Sequence, residues 1–282
     1  MIWLAVTLAF FMLYTVPTMA FSAIYHEASV SDGFVNQRME ALGYQRPILI
    51  QYADYLIHLL RFDLGQSLYS GQPVLTTLLQ RLPVTLTLTG SGMIVATILG
   101  ILSGLCVFTR KGLLWTKFYI TISLSVPLYW SATLIIILLS QLHYPYLNSW
   151  ILPIALIGLH TSGAIASVLQ SAILETKNAD FVRTARGKGL GELQIFLRHI
   201  LPLAIIPVIN VIALQIGFLF TGTVFTEMIF LKAGLGSLAI DATTKQDYPL
   251  VMGVVLVSAL IYSLSNFFST TLIAILDPRI SR

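Results

Sequence analysis

Six long apolar runs place the strongest constraint on how this chain can fold. They occupy residues 2–25, 83–108, 118–142, 150–174, 203–231 and 250–276. A helix that crosses the hydrocarbon core of a bilayer needs about 20 consecutive apolar residues, and each run is long enough for one crossing. The chain is 56% hydrophobic and only 10% charged, whereas a soluble domain carries about 25% charged residues. The sequence therefore predicts an integral membrane protein with six transmembrane helices.

The predicted fold class is an all-α, polytopic membrane helical bundle. Thr85, Thr87 and Thr89 alternate with leucine, a pattern typical of a strand. A lipid-facing barrel needs many such segments of about 10 residues, and the rest of the sequence does not supply them. The first run lacks a basic leader and is longer than the apolar region of a signal peptide, about 7–15 residues. We therefore predict that it is a membrane anchor.

Several functional classes are excluded by what the sequence lacks. The net charge of +4 comes without a dense basic patch, so nucleic acid is not an expected partner. The single cysteine, Cys106, excludes a disulfide framework, and the five histidines do not show metal-ligand spacing. The sequence contains no Gly-x4-Gly-Lys-Ser/Thr loop, so the chain is not expected to bind ATP. We expect no catalytic residue, no metal and no cofactor in this chain.

The distribution of Lys and Arg predicts the orientation in the membrane. Basic residues cluster in three places that share one side of a six-span bundle: Arg110, Lys111 and Lys117; Lys177, Arg183, Arg186, Lys188 and Arg198; Arg279 and Arg282. Segment 143–149, on the other side, has none. Because short cytoplasmic loops carry the excess of positive charge, both termini are predicted to be cytoplasmic. No Lys or Arg precedes Ile2, which departs from this pattern and is compatible with a shortened start site.

The organisation predicted from these features has three parts. Residues 1–25 form the first transmembrane helix, residues 26–82 an external helical region, and residues 83–282 a five-helix core. The external region is predicted to hold three short helices, which begin near Ser31, after Pro47 and after Pro73. Their apolar positions are Val35, Met39 and Leu42; Leu49, Tyr52, Leu56 and Leu59; and Leu75, Leu78, Leu79 and Leu82. They either form a cap packed on the bundle or lie as amphipathic helices on the membrane surface.

Ionisable residues are scarce inside the spans, where coupled carriers commonly place ion relays. His160 lies beside Thr161, Ser162 and Gly163, and it either makes an interhelical hydrogen bond or lines a cavity. Glu227 lies near the outer end of span five, where it is either hydrated or hydrogen-bonded, or takes part in a pathway or gate.

Prolines and paired glycines predict where the spans bend and pack. Pro127, Pro202 and Pro207 are predicted to bend or interrupt their helices. Gly100 and Gly104 suit close helix packing.

A short cytoplasmic helix is predicted between spans four and five. Asn178 is a suitable N-cap, and Asp180 falls in the first turn, where a negative charge is favourable. Gly187 and Gly189 end the helix and turn the chain. Phe181, Thr184 and Ala185 share one face, and the polar side carries Arg183, Arg186 and Lys188.

A second helix is predicted to start near Gly191. Its apolar residues at helical spacing are Leu193, Phe196, Leu197 and Ile200. The alternative is an ordinary basic loop, which would need no such pair of helices.

Residues 175–202 resemble the EAA loop of the permease subunits of binding-protein-dependent ABC importers, in the dipeptide/oligopeptide/nickel branch. The general loop reads Glu-Ala-Ala-x3-Gly-x9-Ile-x-Leu-Pro, and the residues that match it are Ala185, Gly189, Leu201 and Pro202. Arg183 and Thr184 take the first two positions, and His199 takes that of Ile. The form Arg-Thr-Ala-Arg-x-Lys-Gly-Leu, which this chain has at 183–190, is typical of the branch.

Other segments resemble the same branch in the same order along the chain: 42–47, 51–52, 62–68, 226–230, 234–236, 247–249 and 277–280. Ala233 departs from the family, because relatives often have proline at this position.

The resemblance implies a type I ABC importer permease fold and a set of partners. A second, homologous permease subunit would complete the pathway, two ABC ATPase subunits would bind ATP and Mg²⁺, and an extracytoplasmic binding protein would deliver the substrate. The ATPase-coupling residues would be Phe181, Arg183, Thr184, Ala185, Arg186, Lys188, Gly189 and Leu190. Residues 26–82 and 232–248 would dock the binding protein, with a short external helix at 238–244.

The resemblance also implies the substrate class and the location. The branch imports di- and oligopeptides, nickel or metal chelates across the bacterial cytoplasmic membrane. The alternative function is an ATP-independent secondary carrier or channel.

Overall fold

The computed structural model describes residues 1–14, 40, 43, 45–108, 110–141 and 150–276. Among these residues the only bridge between extended segments is an isolated one from Gln66 to Pro73. The helices in chain order are α1 (Ile2–Tyr14), α2 (Ile48–Leu60), α3 (Val74–Leu105), α4 (Arg110–Ser125), α5 (Leu128–Gln141), α6 (Ile151–Lys177), α7 (Asp180–Gly187), α8 (Glu192–Ile195), α9 (Leu201–Ile229), α10 (Leu235–Thr244) and α11 (Tyr248–Leu276). A 3₁₀ turn at Cys106–Phe108 follows α3, and a π turn at Phe196–Ile200 joins α8 to α9. The predicted all-α class is confirmed.

Four segments of the described chain are long and apolar enough to cross a membrane. They are Val74–Leu105, Ile151–Lys177, Glu192–Phe220 and Tyr248–Phe268. Helices α4 and α5 pass the same test as a pair that is bent by 90°. Helix α1 is 13 residues long and mostly apolar. The rest of the predicted first span lies outside the described residues. This arrangement is compatible with six spans.

Pro127 breaks the third predicted span, which confirms that part of the proline prediction. Helix α4 ends at Ser125 and α5 begins at Leu128, with Pro127 between them. Its carbonyl accepts the N–H of Trp130 at 3.1 Å and that of Ser131 at 3.2 Å, so the proline opens the second helix. Proline is suited to this place because the start of a helix does not need its missing N–H.

Pro202 and Pro207 do not interrupt their helix, in contrast to Pro127. Pro202 falls in the first turn of α9, and Pro207 lies inside α9, which continues to Ile229.

Helix α3 corrects the prediction of two separate helices, one after Pro73 and one from Pro83. A single helix of 32 residues runs from Val74 to Leu105, and Pro83 lies inside it. A proline within a membrane helix is tolerated where neighbouring groups satisfy the carbonyl it leaves free.

The chain divides into two compact units, which are described separately. Unit 1 comprises Met1–Thr85 and Lys232–Ser263, and unit 2 comprises Leu86–Leu231 and Leu264–Arg282. The three-part division made from the sequence stays a prediction.

In unit 1, α10 packs against the first turns of α3 and α11. The buried residues of this core are Val74, Leu78, Leu235, Leu238, Ala242, Leu250 and Val254. The N–H of Leu235 donates to the hydroxyl of Thr85 at 2.8 Å. A short helix was predicted at 238–244, and α10 begins three residues earlier, at Leu235.

A second core of unit 1 joins α1, α2 and α11 around Val6, Phe10, Met252 and Leu256. Helix α2 begins directly after Pro47, as predicted, and Tyr52, Tyr55 and Leu59 of its inner face pack here. Leu49 was predicted to share the apolar face, but its side chain is 69% exposed, because the inner face is centred on Tyr52 and Leu59 instead.

In unit 2, glycines let α3 and α6 approach closely. A Cβ on Gly100 would lie 2.6 Å from Cβ of Ile165, and one on Gly104 would lie 2.9 Å from Cβ of Leu169. The prediction of close packing at these two glycines is confirmed. Each glycine of α3 meets the residue of α6 that lies 65 positions later, so the two helices run parallel. The basic segments that follow them therefore lie at the same end.

A polar seam joins α4 to α6 in unit 2. The hydroxyl of Ser123 donates to the carbonyl oxygens of Leu159 at 2.9 Å and His160 at 2.8 Å. The hydroxyls of Tyr119 and Ser162 are also hydrogen-bonded to each other.

Some predictions fall outside the described residues. They are the helix that begins near Ser31, the segment 143–149 and the C-terminal segment 277–280.

Candidate functional site

The candidate site is the coupling loop, residues 175–202, which lies in unit 2 between α6 and α9. Asn178 was predicted to cap the short helix, but its N–H donates to Glu175 at 3.2 Å and it closes α6 instead. Ala179 is extended and precedes α7, which begins at Asp180. Asp180 therefore lies in the first turn, as predicted, where its charge complements the helix dipole.

Helix α7 turns Val182 and Ala185 inwards. Val182 is fully buried and Ala185 is 7% exposed. Phe181, predicted to share a face with Ala185, is 44% exposed, and Thr184 is exposed too. The predicted apolar face contained Phe181 and omitted Val182. The sequence prediction therefore did not distinguish the face of α7 that packs on this chain from the face that is exposed.

The basic residues of α7 are at its surface. The side chain of Arg183 is 75% exposed and lies 3.8 Å from the Asp180 carboxylate. Lys188 is exposed, and Leu190 is half-buried. These placements leave Phe181, Arg183, Thr184 and Lys188 available to a partner.

Gly189 ends the helix in a left-handed conformation, with φ of +78°. The N–H of Gly189 donates to Arg186 at 2.9 Å, and the N–H of Leu190 donates to Ala185 at 3.3 Å. These two bonds form a Schellman motif, in which glycine is preferred because it has no Cβ to strain the left-handed position. The predicted glycine turn is confirmed, and a Cβ on Gly189 would meet nothing within 4 Å.

Arg186 and Glu192 form an ion pair across this turn, which the sequence reasoning missed. Arg186 Nε lies 2.6 Å and its second guanidinium donor 3.1 Å from the two carboxylate oxygens. Hydrogen bonding to Arg186 lowers the pKa of Glu192, and the same bond raises the pKa of Arg186. The six-residue spacing of opposite charges across two glycines is the signal that could have found the pair.

The second helix of the loop differs from the prediction. Ile195 and Ile200 are its buried residues, whereas Leu193 is 72% and Leu197 52% exposed. The reason is the π turn at Phe196–Ile200, because hydrogen bonding from i to i+5 brings residues five apart onto one face. The sequence prediction assumed ordinary α-helical spacing.

A surface cavity of about 250 Å³ lies beside this turn. It is lined by Lys177, Glu192, Leu193, Phe196 and Ile200. Its lining combines three apolar residues with one positive and one negative group.

His160 lies in α6, and its ring hydrogen-bonds to the backbone of Val126 at the break between α4 and α5. This contact agrees with the interhelical hydrogen bond considered from the sequence. Nε2 is buried and has no hydrogen-bond partner among the described residues. A role in the pathway stays a prediction.

Glu227 lies in α9 and is fully buried. This burial favours the hydrogen-bonded alternative considered from the sequence over contact with bulk solvent. The residue takes part in an interaction within the chain, and its role in a gate stays a prediction.

A larger groove between α3 and α9 was not found from the sequence. It has a volume of about 570 Å³, and neither His160 nor Glu227 lines it. Its lining residues are Leu86, Thr89, Gly90, Met93, Ile94, Thr97, Ile98, Ile216 and Phe220.

Comparison with known proteins gives the family. Residues 96–282 match the family model described as binding-protein-dependent transport system inner membrane component. The dipeptide transport system permease protein DppB of Lactococcus lactis is 31% identical, over 99% of this chain and 94% of that protein. The di/tripeptide transport system permease protein DppB of Pseudomonas aeruginosa is 32% identical, over 86% of this chain and 84% of that protein.

A solved structure shares the fold. A chain of the inward-facing MetNI methionine ABC transporter superposes with a TM-score of 0.56 at 19% identity, covering 72% of this chain and 97% of that one. At this identity the likeness bears on the fold alone, and it supports the predicted type I permease architecture.

The family match covers the coupling loop, and the relatives extend the similarity over most of the chain. The resemblance inferred from the loop is therefore confirmed: the chain belongs to the inner membrane components of binding-protein-dependent transport systems, the permease subunits of ABC importers, and its relatives include permeases of the peptide branch.

Proposed function

We propose that this chain and a second, homologous permease subunit form the membrane pathway of an ATP-driven peptide importer. Two ABC ATPase subunits bind ATP and Mg²⁺ in the cytoplasm, and one of them contacts the coupling loop of this chain. An extracytoplasmic binding protein delivers the substrate. This chain supplies no catalytic group and binds no nucleotide.

The observation that carries the proposal is the build of α7. One side is anchored to the chain through Val182 and Ala185, and the other presents Phe181 and Arg183. An exposed aromatic ring beside an arginine is typical of protein interfaces, where both residue types are enriched. The open face therefore suits a groove on a partner protein.

The connections of α7 suit the transmission of force. It follows α6 after two residues and is tied to α8 by the Arg186–Glu192 pair. When ATP binding closes the ATPase dimer, the movement of α7 would pass to α6 and α9. The pathway would then alternate between outward and inward opening, as a rigid-body transition between two states.

The coupling residues act in three ways in this proposal. Phe181 provides apolar contact, assisted by the part of Leu190 that is exposed. Arg183 and Lys188 provide charge, and Thr184 provides a hydroxyl. Ala185, Arg186 and Gly189 shape the helix and its turn.

The proposed substrates are di- and oligopeptides. The support is the printed function of the relatives from Lactococcus lactis and Pseudomonas aeruginosa, which are named as dipeptide and di/tripeptide permeases. Escherichia coli K12 has a further dipeptide permease relative, 31% identical over 86% of this chain. Nickel and metal chelates are the alternative cargo.

The proposed location is the bacterial cytoplasmic membrane, with both termini in the cytoplasm. The basic segments after α3 and α6 then face the ATPase. Residues 26–82 and 232–248 face outwards and dock the binding protein.

Co-purification and transport test the ATPase part of the proposal. The tagged chain, expressed with its partner subunits, is expected to retain a Walker-motif ATPase and to lose it in Gly189→Asp. Gly65→Asp is the matched control, because Gly65 also has a positive φ, +74°, and open space around it. Transport by the chain in liposomes that hold no ATPase would overturn the proposal in favour of a secondary carrier or channel.

Mass spectrometry of the ligand retained by the partner binding protein tests the substrate class. We expect peptides. Recovery of nickel or a metal chelate instead would overturn the substrate class and leave the permease function standing.

A further inference from the structure

A buried carboxylate in unit 1 binds two segments that are far apart in the sequence. Asp247 is 1% exposed and lies directly before α11. It accepts a hydrogen bond from the hydroxyl of Ser67, which is 180 positions earlier in the chain. The N–H groups of Leu68 and Tyr69 lie 3.1 and 3.5 Å from the same carboxylate.

The same carboxylate also caps α11. Its Oδ1 lies 3.4 Å from the N–H of Leu250 in the first turn of that helix. A side-chain oxygen in this position satisfies a helical N–H that otherwise has no partner. Asp247 therefore contacts both the loop around Ser67 and the first turn of a candidate membrane span.

Charge makes this connection strong. A buried carboxylate is costly unless donors surround it, and here one hydroxyl and three backbone N–H groups do so. Hydrogen bonds to an ionised acceptor are roughly twice as strong as neutral ones. Replacing the charge with a neutral group of the same size should therefore loosen the loop without emptying the core.

Ser67 also organises its own loop. Its N–H donates to Gln72 and its carbonyl accepts from Gly71, both at 2.9 Å, while its hydroxyl accepts from the N–H of Ser70 at 3.0 Å. The loop is thus a closed structure, and the Ser67 hydroxyl that organises it also contacts Asp247, together with the N–H groups of Leu68 and Tyr69.

The loop presents an outer surface together with the end of α10. Tyr69 is 61% exposed, and the ammonium group of Lys245 lies 4.5 Å from the centre of its ring. Lys245 is also paired with Asp241 at 2.9 Å. We call this surface the loop face, defined by residues 69–72 and Lys245.

We propose that the loop face contacts the extracytoplasmic binding protein and that Asp247 is the positioning residue that fixes this face to the first turn of α11. The inference rests on the proposed function, because it takes residues 66–72 and 241–247 to lie outside the membrane. A tyrosine beside a lysine–aspartate pair suits a folded protein surface with hydrogen-bonding groups, since tyrosine is enriched in interfaces. When docking shifts the loop, the Asp247 carboxylate transmits that movement to α11.

The test uses the complete transporter in proteoliposomes with its own binding protein. The ATPase rate is measured against binding-protein concentration for the wild type, Asp247→Asn, Ser67→Ala and Tyr69→Ala. We expect Asp247→Asn to raise the half-saturating concentration about tenfold or more, the factor that corresponds to losing one hydrogen bond to a charged group. The ATPase rate without binding protein should stay within about twofold of wild type, because the coupling loop is untouched.

Two further variants separate positioning from general damage. Ser67→Ala is expected to raise the half-saturating concentration less than Asp247→Asn, and the double variant no more than Asp247→Asn alone, because both act through one contact. Thr77→Ala is the control, since among the described residues the hydroxyl of Thr77 bonds only to Pro73, within its own turn. It should match the wild type.

Tyr69→Ala keeps the proposal testable if Asp247→Asn does not fold. Tyr69 is exposed, so its removal should raise the half-saturating concentration without changing thermal stability. Half-saturation equal to wild type in both Asp247→Asn and Tyr69→Ala would overturn the inference, and so would a loss confined to the maximal rate. A wild-type complex that no binding protein stimulates would instead overturn the proposed function.

Discussion

Arg186 and Glu192 lock the turn after α7 through two parallel hydrogen bonds, of 2.6 and 3.1 Å. The turn between them contains three glycines, Gly187, Gly189 and Gly191, which leave the backbone itself little stiffness. A bidentate arginine–carboxylate pair has a defined geometry that a single contact lacks. The pair therefore links the end of α7 to the start of α8 across a flexible turn.

Reversing one charge of this pair should uncouple the loop. Arg186→Glu sets two carboxylates against each other, and we expect transport per ATP hydrolysed to fall several-fold. The double variant Arg186→Glu, Glu192→Arg restores opposite charges and should recover most of the wild-type ratio. The ratio is measured in proteoliposomes, and a double variant no better than the single one would contradict the role of the pair.

The pair should persist at neutral pH and weaken in acid. Hydrogen bonding to Arg186 lowers the pKa of Glu192 below its ordinary value. A carboxyl with a depressed pKa stabilises the folded loop above its ordinary pKa and loses that effect as the pH falls through the folded-state value. Hydrogen exchange of the α7 amides should therefore be unchanged from pH 8 to pH 6 after correction for the intrinsic rate. Exchange of these amides should become faster only as the pH falls through the depressed pKa of Glu192. Glu192→Gln should remove this dependence of exchange on acid.

Gly189→Ala should loosen the end of α7. The φ of +78° at this position costs a residue with a Cβ about 1 kcal/mol or more. The amides at positions 189 and 190 should then exchange about fivefold faster or more, the factor that corresponds to about 1 kcal/mol. Gly187→Ala is the matched control, because the φ of Gly187 is not positive and a Cβ there would meet nothing within 4 Å. Equal exchange in the two variants would contradict the strained turn.

Phe181→Ala and Val182→Ala should affect different properties, partner binding and stability respectively, although the two residues are neighbours. Phe181 is 44% exposed, whereas Val182 is fully buried. We expect Phe181→Ala to weaken ATPase co-purification at unchanged thermal stability. Val182→Ala should lower the free energy of unfolding by about 1–2 kcal/mol, because it removes buried methyl groups. Thermal unfolding in detergent and pull-down yield measure the two effects, and a stability loss in Phe181→Ala would show that its ring packs inwards.

Gly100→Ala should disrupt the packing of α3 on α6. The new Cβ would lie 2.6 Å from Cβ of Ile165 and 2.9 Å from the carbonyl oxygen of Ser162, and both obstacles are close to the backbone. Overpacking of this kind costs about 1–3 kcal/mol. Gly90→Ala in the same helix meets nothing within 4 Å and should be neutral or slightly stabilising. The midpoint of thermal unfolding in detergent separates the two, and equal midpoints would contradict the close approach.

The sequence by itself determined the class of protein and the place of the coupling loop. Long apolar runs specify membrane helices because the bilayer leaves no other partner for backbone N–H and C=O groups. The break at Pro127 and the turn at Gly189 were also predictable, since proline and glycine act on the backbone locally. The spacing of residues 183–190 gave the family for the same reason: it is a short local pattern.

Only the tertiary structure decided which side chains meet. It merged the helix after Pro73 with the span from Pro83. Through a π turn it buried Ile195 beside the predicted Ile200, and it left the predicted Leu193 and Leu197 exposed. It also brought Ser67 to Asp247 and Arg186 to Glu192. Hydropathy and helical spacing describe one segment at a time, whereas these contacts depend on how segments far apart in the chain, or on either side of a turn, fold against each other.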